Sequence, residues 1–461
     1  MTLIKSISGI RGTIGGKVND ALTPLDAVKF ASAYGTWLLQ RNEGVKIKVV
    51  IGRDARISGK MVSDLVTASL VGLGIDVIDL GLSTTPTVEI AVPKEQAHGG
   101  IILTASHNPK QWNALKLLNE LGEFISASDG QEVLTIAKNE AFEFAQVDEL
   151  GAVKKDDTYL KKHIDAILDL PIINKTAIEE AGLAIVVDAV NSTGGIFVPA
   201  MIEALGVKNI ITLYCDPTGH FPHNPEPLPE HLTDLSDKIK ETNSDLGITV
   251  DPDVDRLALV CEDGSMFGEE YTLVAVADYV LSKTPGSTVS NLSSTRALRD
   301  VTEKYGQKYH ASAVGEVNVV AKMKAENAVI GGEGNGGVIY PELHYGRDSL
   351  IGIALFLSLF AERKIKASEL RDSYPKYIIS KNKIQLTPDI NVDLLLSKMA
   401  EKYAAEEVDT TDGVKIYFEK EWVHLRKSNT EPIIRIYSES KSLQAANELA
   451  EKIISEIKEL L

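Results

Sequence analysis

A chain of 461 residues is too long for a single hydrophobic core, so several domains are expected. Hydrophobic residues at 44% and charged residues at 25% are ordinary for a water-soluble globular protein. The formal net charge of −17 argues against nucleic acid as a bulk partner, and it means that any anionic ligand must be gathered by local arginines and lysines.

In chain order, buried β-branched runs recur, each ending in a polar loop and followed by a helical pattern. The clearest are VKIKVVIGRDAR from Val45, LAIVVDAVNSTGG from Leu183 and GSTVSNLSSTRAL from Gly286. Such runs suit parallel strands covered on both faces by crossover helices, and their spacing of roughly a hundred residues points to about three related α/β units. The apolar run LIGIALFLSLFA, Leu350 to Ala361, is too short to span a bilayer, and no leader pattern opens the chain. A membrane partner is therefore not expected. Cys215 and Cys261 lack metal-type spacing, which suits packing roles and a cytoplasmic location. The last part changes character: KNKIQLTP and GVKIYFEKEWVHLRKS alternate like antiparallel strands. The terminal SLQAANELAEKIISEIKELL reads as an amphipathic helix, with Leu443, Ala446, Leu449, Ile453, Ile457 and Leu460 on its core face. The expected divisions are residues 1–155, 156–256, 257–375 and 376–461, an α/β architecture with a smaller α+β C-terminal domain.

Four loops carry the chemical signal. In IILTASHNP a buried strand runs into Ser106, His107, Asn108 and Pro109. Neighbours in an extended chain point opposite ways, so a Ser106–His107 dyad is not expected. The residues allow either a capped turn or a serine held at a sheet rim for its hydroxyl. In DPDVDR, Asp251, Asp253 and Asp255 can converge on one hard divalent cation, since oxygen ligands suit magnesium or calcium. An EF-hand register would end on Glu262, but it needs glycine where Arg256 stands, and a helix where LALV reads as a strand. Magnesium is the better match. GGEGNGGVIYPE contains Gly332, Gly334 and Gly337 in dinucleotide-fingerprint spacing, but Pro341 sits where the required helix should be established. It reads as a structural turn, or as a glycine-rich loop that lets Glu333 and Asn335 approach a polar ligand. In RKSNTEPIIR, Arg426 and Arg435 flank Ser428, Asn429 and Thr430, a donor set suited to a phosphate as well as to a plain surface turn. Together the loops supply a hydroxyl that can accept phosphoryl, a divalent cation beside it, a hydroxyl reader and a distal phosphate clamp.

With TASHNP, DPDVDR, GEGNGG and RKSNTEPIIR in this order over essentially the whole length, the chain resembles the α-D-phosphohexomutase superfamily. The resemblance implies three related α/β domains with mixed sheets plus a smaller C-terminal domain around a central cleft. It implies interconversion of hexose 6-phosphate and 1-phosphate through a phosphoserine at Ser106, with a hexose 1,6-bisphosphate as intermediate and primer. Mg²⁺ would be held by Asp251, Asp253, Asp255 and the phosphate on Ser106. Arg11, in SGIRG, matches an arginine facing the phosphoserine, and Lys116 matches a lysine proposed as general acid or base. Arg256, Glu333, Asn335, Arg426, Ser428, Asn429, Thr430 and Arg435 would bind the phosphosugar. The expected best substrate is glucosamine phosphate, with mannose or glucose phosphate as the alternative, and a sugar phosphatase or an inactive binder as the remaining function classes. A monomer or homodimer is expected. The chain departs from the family pattern in three places: Asn335-Gly336-Gly337 replaces Ser-Gly-His, Ala114 and Leu115 precede Lys116 where the pattern is NGxK, and Glu316 stands where some relatives have histidine.

Overall fold

The computed structural model describes residues 2–6, 9–386, 390–427 and 433–460. The chain forms two compact units, residues 1–272 with 336–368, and residues 273–335 with 369–461.

The first unit holds two sheets. Seven strands of the first run in the order Ile4–Ser6, Gly9–Thr13, Trp112–Leu118, Gly99–Leu103, Lys48–Arg53, Asp76–Leu82 and Val153–Lys155. The pairs from Gly99–Leu103 onwards are parallel and the others antiparallel, so the sheet is mixed. Lys48–Arg53 is the strand expected within VKIKVVIGRDAR. Its alternate residues feed two cores: Val49 and Ile51 pack with Phe30, Tyr34 and Trp37, and Val50 packs with Val88 and Val92. Covering both faces explains why the run is continuously apolar rather than alternating. Each fully buried side chain of this kind contributes about 1.5–3 kcal/mol.

In the second sheet the order is Leu257–Cys261, Leu246–Val250, Ala184–Asp188 and Asn209–Leu213. The division expected at Arg256 needs correction, because it falls inside an antiparallel hairpin that pairs Leu246 with Cys261 and Val250 with Leu257. The aspartate loop is the tip of that hairpin. Leu350 to Ala361 lies in the buried helix Ser349–Arg363, and no described helix is long and apolar enough to cross a membrane.

In the second unit, Thr288–Asn291 pairs in parallel with Tyr309–Ser312 on one side and Ile330–Glu333 on the other. Five antiparallel strands follow, in the order Ile378–Gln385, Ile433–Ser440, Trp422–Lys427, Val414–Tyr417 and Glu407–Asp409. The terminal helix, Leu443–Glu459, buries Ala446, Ile453 and Ile457, with Leu449 and Leu460 partly buried beside them. Leu443 departs from its expected place on the core face: it is the first helical residue and stays 53% exposed.

Candidate active site

The strand Gly99–Leu103 is buried at every residue and delivers the serine loop to the end of the first sheet. Ser106 adopts a left-handed backbone, φ +49°, a conformation that disfavours a residue with a Cβ by about 1–2 kcal/mol. Its hydroxyl donates to Asp251 Oδ2 at 2.6 Å. The expectation that Ser106 and His107 diverge assumed an extended chain. With the backbone left-handed, Ser106 Oγ lies 3.4 Å from His107 Nδ1. Burial, then the charges of Arg256, Arg11 and Arg347, push the His107 imidazole down to about 2 against the pull of Asp255.

The aspartate loop turns sharply. Val254, a β-branched residue, is left-handed at φ +65°, and Asp251 Oδ1 accepts the backbone N–H groups of Asp255 and Arg256, each at 3.1 Å. This reversal brings three fully buried carboxylates together, with one oxygen from each within 4.8 Å of the others. Burial, reinforced by Asp253 and Asp255, pushes the Asp251 carboxyl well above its usual range. Burial also opposes ionisation of Asp253, but the Lys116 ammonium and the Thr85 hydroxyl outweigh it and hold that carboxyl below the usual range. Asp253 Oδ1 and Asp255 Oδ1 have no hydrogen-bond partner. Three converging buried carboxylates, two of which keep an oxygen without a donor, are the donor set of a hard divalent cation, so these residues fit Mg²⁺. The EF-hand alternative fails as expected: Leu257–Cys261 is a strand, and Glu262 accepts from the backbone N–H and hydroxyl of Ser368.

Cations line the cluster. Lys116, on the strand Trp112–Leu118, places Nζ 2.7 Å from Asp253 Oδ2 and 3.4 Å from Asp255 Oδ2. Arg347 donates to Asp255 Oδ2 at 2.7 Å. Arg256 Nε lies 3.9 Å from Asp255 Oδ1, and its Nη1 lies 3.5 Å from Glu226. Arg11, on the strand Gly9–Thr13, is pushed down by burial and by the neighbouring charge of Arg256. Thr85 opens a helix, donating its hydroxyl to Asp253 Oδ2 at 2.6 Å and its N–H to Asp253 O at 2.9 Å. Arg11, Ser106, Lys116, the three aspartates and Arg256 thus gather in the first unit. Arg347 and Thr85 were not anticipated: each lies far along the chain from its partner, and neither sits in a motif that names a metal or phosphate.

In the second unit, Glu333 Oε1 accepts from Asn291 Nδ2 at 2.8 Å and from the Gly315 N–H at 3.1 Å, while Asn335 Nδ2 lies 3.5 Å from Glu333 Oε2. Ser294 Oγ accepts the Gly334 N–H at 2.9 Å. Gly337–Ile339 is a strand rather than a helix, which disposes of the dinucleotide fingerprint. Gly336 is required by packing: its φ is +88°, and a Cβ there would lie 2.2 Å from Leu257 O. Glu316 begins the helix Glu316–Glu326. Arg426 stands directly opposite Arg435, which stands opposite Lys383 on its other neighbour, so three cations share one face of the sheet. Like charges directly opposed destabilise a sheet. Asp412 supplies a counter-charge, its Oδ2 lying 2.9 Å from Arg426 Nε. Ser428, Asn429 and Thr430 lie outside the described residues.

Four stretches match the phosphoglucomutase/phosphomannomutase family: alpha/beta/alpha domain I over residues 3–144, domain II over 161–264, domain III over 268–377 and the C-terminal domain over 388–456. The chain is 37% identical to a phosphoglucomutase/phosphomannomutase of Thermococcus kodakarensis, covering 98% of each chain. It is 33% identical to a Methanopyrus kandleri protein named "Probable phosphoglucosamine mutase", covering 97% of this chain and 96% of that one. A crystal structure of a phosphoglucomutase/phosphomannomutase family protein from Burkholderia thailandensis superposes with a TM-score of 0.85 at 26% identity, covering 99% and 98% of the two chains. The chain belongs to the phosphoglucomutase/phosphomannomutase family. It is a phosphohexose mutase with three α/β/α domains and a C-terminal domain, as the sequence resemblance implied.

Proposed function

We propose that Ser106 carries the phosphoryl group this mutase transfers, and that glucosamine 6-phosphate and glucosamine 1-phosphate are its best substrate pair. The observation that carries the reading is the 2.6 Å contact between the Ser106 hydroxyl and Asp251, at a buried cluster of three carboxylates faced by Lys116, Arg347 and Arg256. A bare serine has no need of that setting, whereas a serine bearing a dianion beside a cation site does. Asp251, Asp253 and Asp255 would hold Mg²⁺, which when bound offsets negative charge on the transferring phosphate.

The protein side of the reaction follows from the residues. Phospho-Ser106 donates to the free hydroxyl of a bound hexose monophosphate, the serine P–O bond breaking as the sugar P–O bond forms. A bisphosphate results, which turns end for end and returns its other phosphate to Ser106, so hexose 1,6-bisphosphate also serves as primer. Arg11 and Arg256 neutralise phosphate charge beside the serine. Burial works against the Lys116 ammonium, but Asp253 and Asp255 outweigh it and hold it above its usual range, so Lys116 stays protonated and supplies positive charge beside the transferring phosphate; the acid/base role needs that pull of the aspartates to be weakened. Glu333 and Asn335 read sugar hydroxyls. Arg426, Arg435, Ser428, Asn429 and Thr430 hold the phosphate that is not reacting, and the row of opposed cations supports that assignment. Two free cysteines suit a reducing cytoplasm, and a monomer or homodimer serves, since one chain carries every residue named.

The choice of glucosamine rests on the Methanopyrus relative's name, against a Thermococcus relative named for glucose and mannose phosphates. All three sugars share equatorial hydroxyls at carbons 3 and 4 and differ at carbon 2. The test is kcat/KM for the three 6-phosphates at one magnesium concentration with a trace of bisphosphate primer. Glucosamine should win. A tenfold advantage for mannose or glucose phosphate, about 1.4 kcal/mol of transition-state discrimination, overturns the assignment.

A further inference from the structure

The serine loop is held from beneath by a buried arginine. Arg56 follows the strand Lys48–Arg53 and is 1% exposed. A guanidinium has five N–H donors in a fixed plane, and here all are used. Nε donates to Asp54 Oδ2 at 3.0 Å. Nη1 donates to Pro109 O at 2.8 Å and Trp112 O at 3.0 Å, and Nη2 donates to Ser106 O at 2.5 Å and Asn108 O at 2.6 Å. The Phe221 ring covers the group at 5.1 Å. The other side of the serine is gripped by the same system: Thr104 Oγ1 accepts the Ser106 N–H at 2.9 Å and donates to Asp54 Oδ2 at 2.7 Å. Asp54 therefore anchors Arg56, which holds the Ser106 carbonyl, and Thr104, which holds the Ser106 N–H. Between those two grips Ser106 has its left-handed φ of +49°.

We propose that Arg56, with Asp54 and Thr104, is the positioning element that fixes Ser106 in this conformation with its oxygen turned to Asp251, and so sets the rate of phosphoryl transfer without contacting substrate. The inference rests on Ser106 being the phosphorylated residue. Its physical content is geometric. Four loop carbonyls converge on one planar fork, and neither a lysine, with three donors on one atom, nor any neutral side chain can reach all four. Loosening the loop leaves the sugar-binding residues untouched but lets the serine oxygen wander from the line of transfer. A displacement of about 1 Å lowers rates about 100-fold.

The experiment uses the full-length chain as wild type, Arg56→Lys and Thr104→Val, each with magnesium. Thermal unfolding establishes folding. Conversion of glucose 1-phosphate to glucose 6-phosphate in a single turnover, with the phosphorylated enzyme in excess, is followed by rapid quench, and the phosphate on Ser106 by mass spectrometry, alongside steady-state kcat and KM. Arg56→Lys should transfer about 100-fold more slowly, with KM changed less than about threefold, despite its conserved charge. Thr104→Val keeps the shape and every Arg56 contact while removing the acceptor for the Ser106 N–H, and should slow transfer at least about tenfold. A folded Arg56→Lys that transfers within about threefold of wild type overturns the inference, even if its melting temperature has dropped, because a merely structural role predicts that result. Should Arg56→Lys fail to fold, Thr104→Val decides, and wild-type transfer in it overturns the inference. A wild type that turns over with no phosphate on Ser106 overturns the phosphoserine reading itself, and the inference with it.

Discussion

Replacing Lys116 with Met tests the electrostatics of the aspartate cluster directly. The substitution keeps most of the buried stem and removes an ammonium 2.7 Å from Asp253 and 3.4 Å from Asp255, both fully buried. Removing one partner of a buried ion pair leaves an uncompensated charge and costs about 3–5 kcal/mol. For a cooperative unit of 150–250 residues each kcal/mol moves the midpoint by about 2–4 °C, so the expected fall in chelator is roughly 6–20 °C. In the folded chain the Lys116 ammonium is held above its ordinary 10.5, so its contribution is fully present below that pH and is lost only as pH rises beyond it. A melt at neutral pH therefore reads the whole effect. Added magnesium should narrow the gap, because a dication bound by the three carboxylates supplies the missing charge, worth about 4 kcal/mol at a thousandfold excess over Kd. The variant should bind magnesium more tightly than wild type while losing most of its turnover. Melting curves with chelator and with a magnesium series check this. A gap that magnesium does not change would refute the argument, as would a variant that melts like wild type in chelator.

Ser106→Ala should abolish most mutase turnover while leaving the melting temperature within a few degrees, since the loop stays anchored by the backbone; peptide mass spectrometry should find phosphate on Ser106 in part of the wild-type protein. Arg435→Lys keeps the charge but not the two-pronged donor, so affinity for 1-phospho and 6-phospho substrates should fall alike by about 1–3 kcal/mol, which titration calorimetry reads. Burial pushes His424 down to about 4 from 6.5, so in that window the unfolded chain binds the proton and the folded one does not. Stability linked to His424 is thus full above 6.5 and falls by about 3 kcal/mol as pH drops to 4, a slope in denaturant titrations that should be missing in His424→Asn.

The sequence by itself determined the features that depend on local chemistry. Continuous apolar runs fixed the strands Lys48–Arg53 and Ala184–Asp188, because a strand buried on both faces has no polar alternation. Three aspartates at alternate positions named the carboxylate cluster, because short spacing survives folding. Tertiary structure alone decided what depends on distant residues meeting. Arg347 reaches Asp255 across 92 positions and Thr85 reaches Asp253 across 168, and no local pattern encodes either distance. Arg256 looked like a domain edge because a polar loop separates two apolar runs, yet those runs pair with each other as a hairpin. Ser106 and His107 were expected to diverge because adjacent residues do so in an extended chain. The left-handed turn that brings them together is held by Arg56, 50 residues earlier, four of whose five donors answer carbonyls that exist as a set only once the loop has folded.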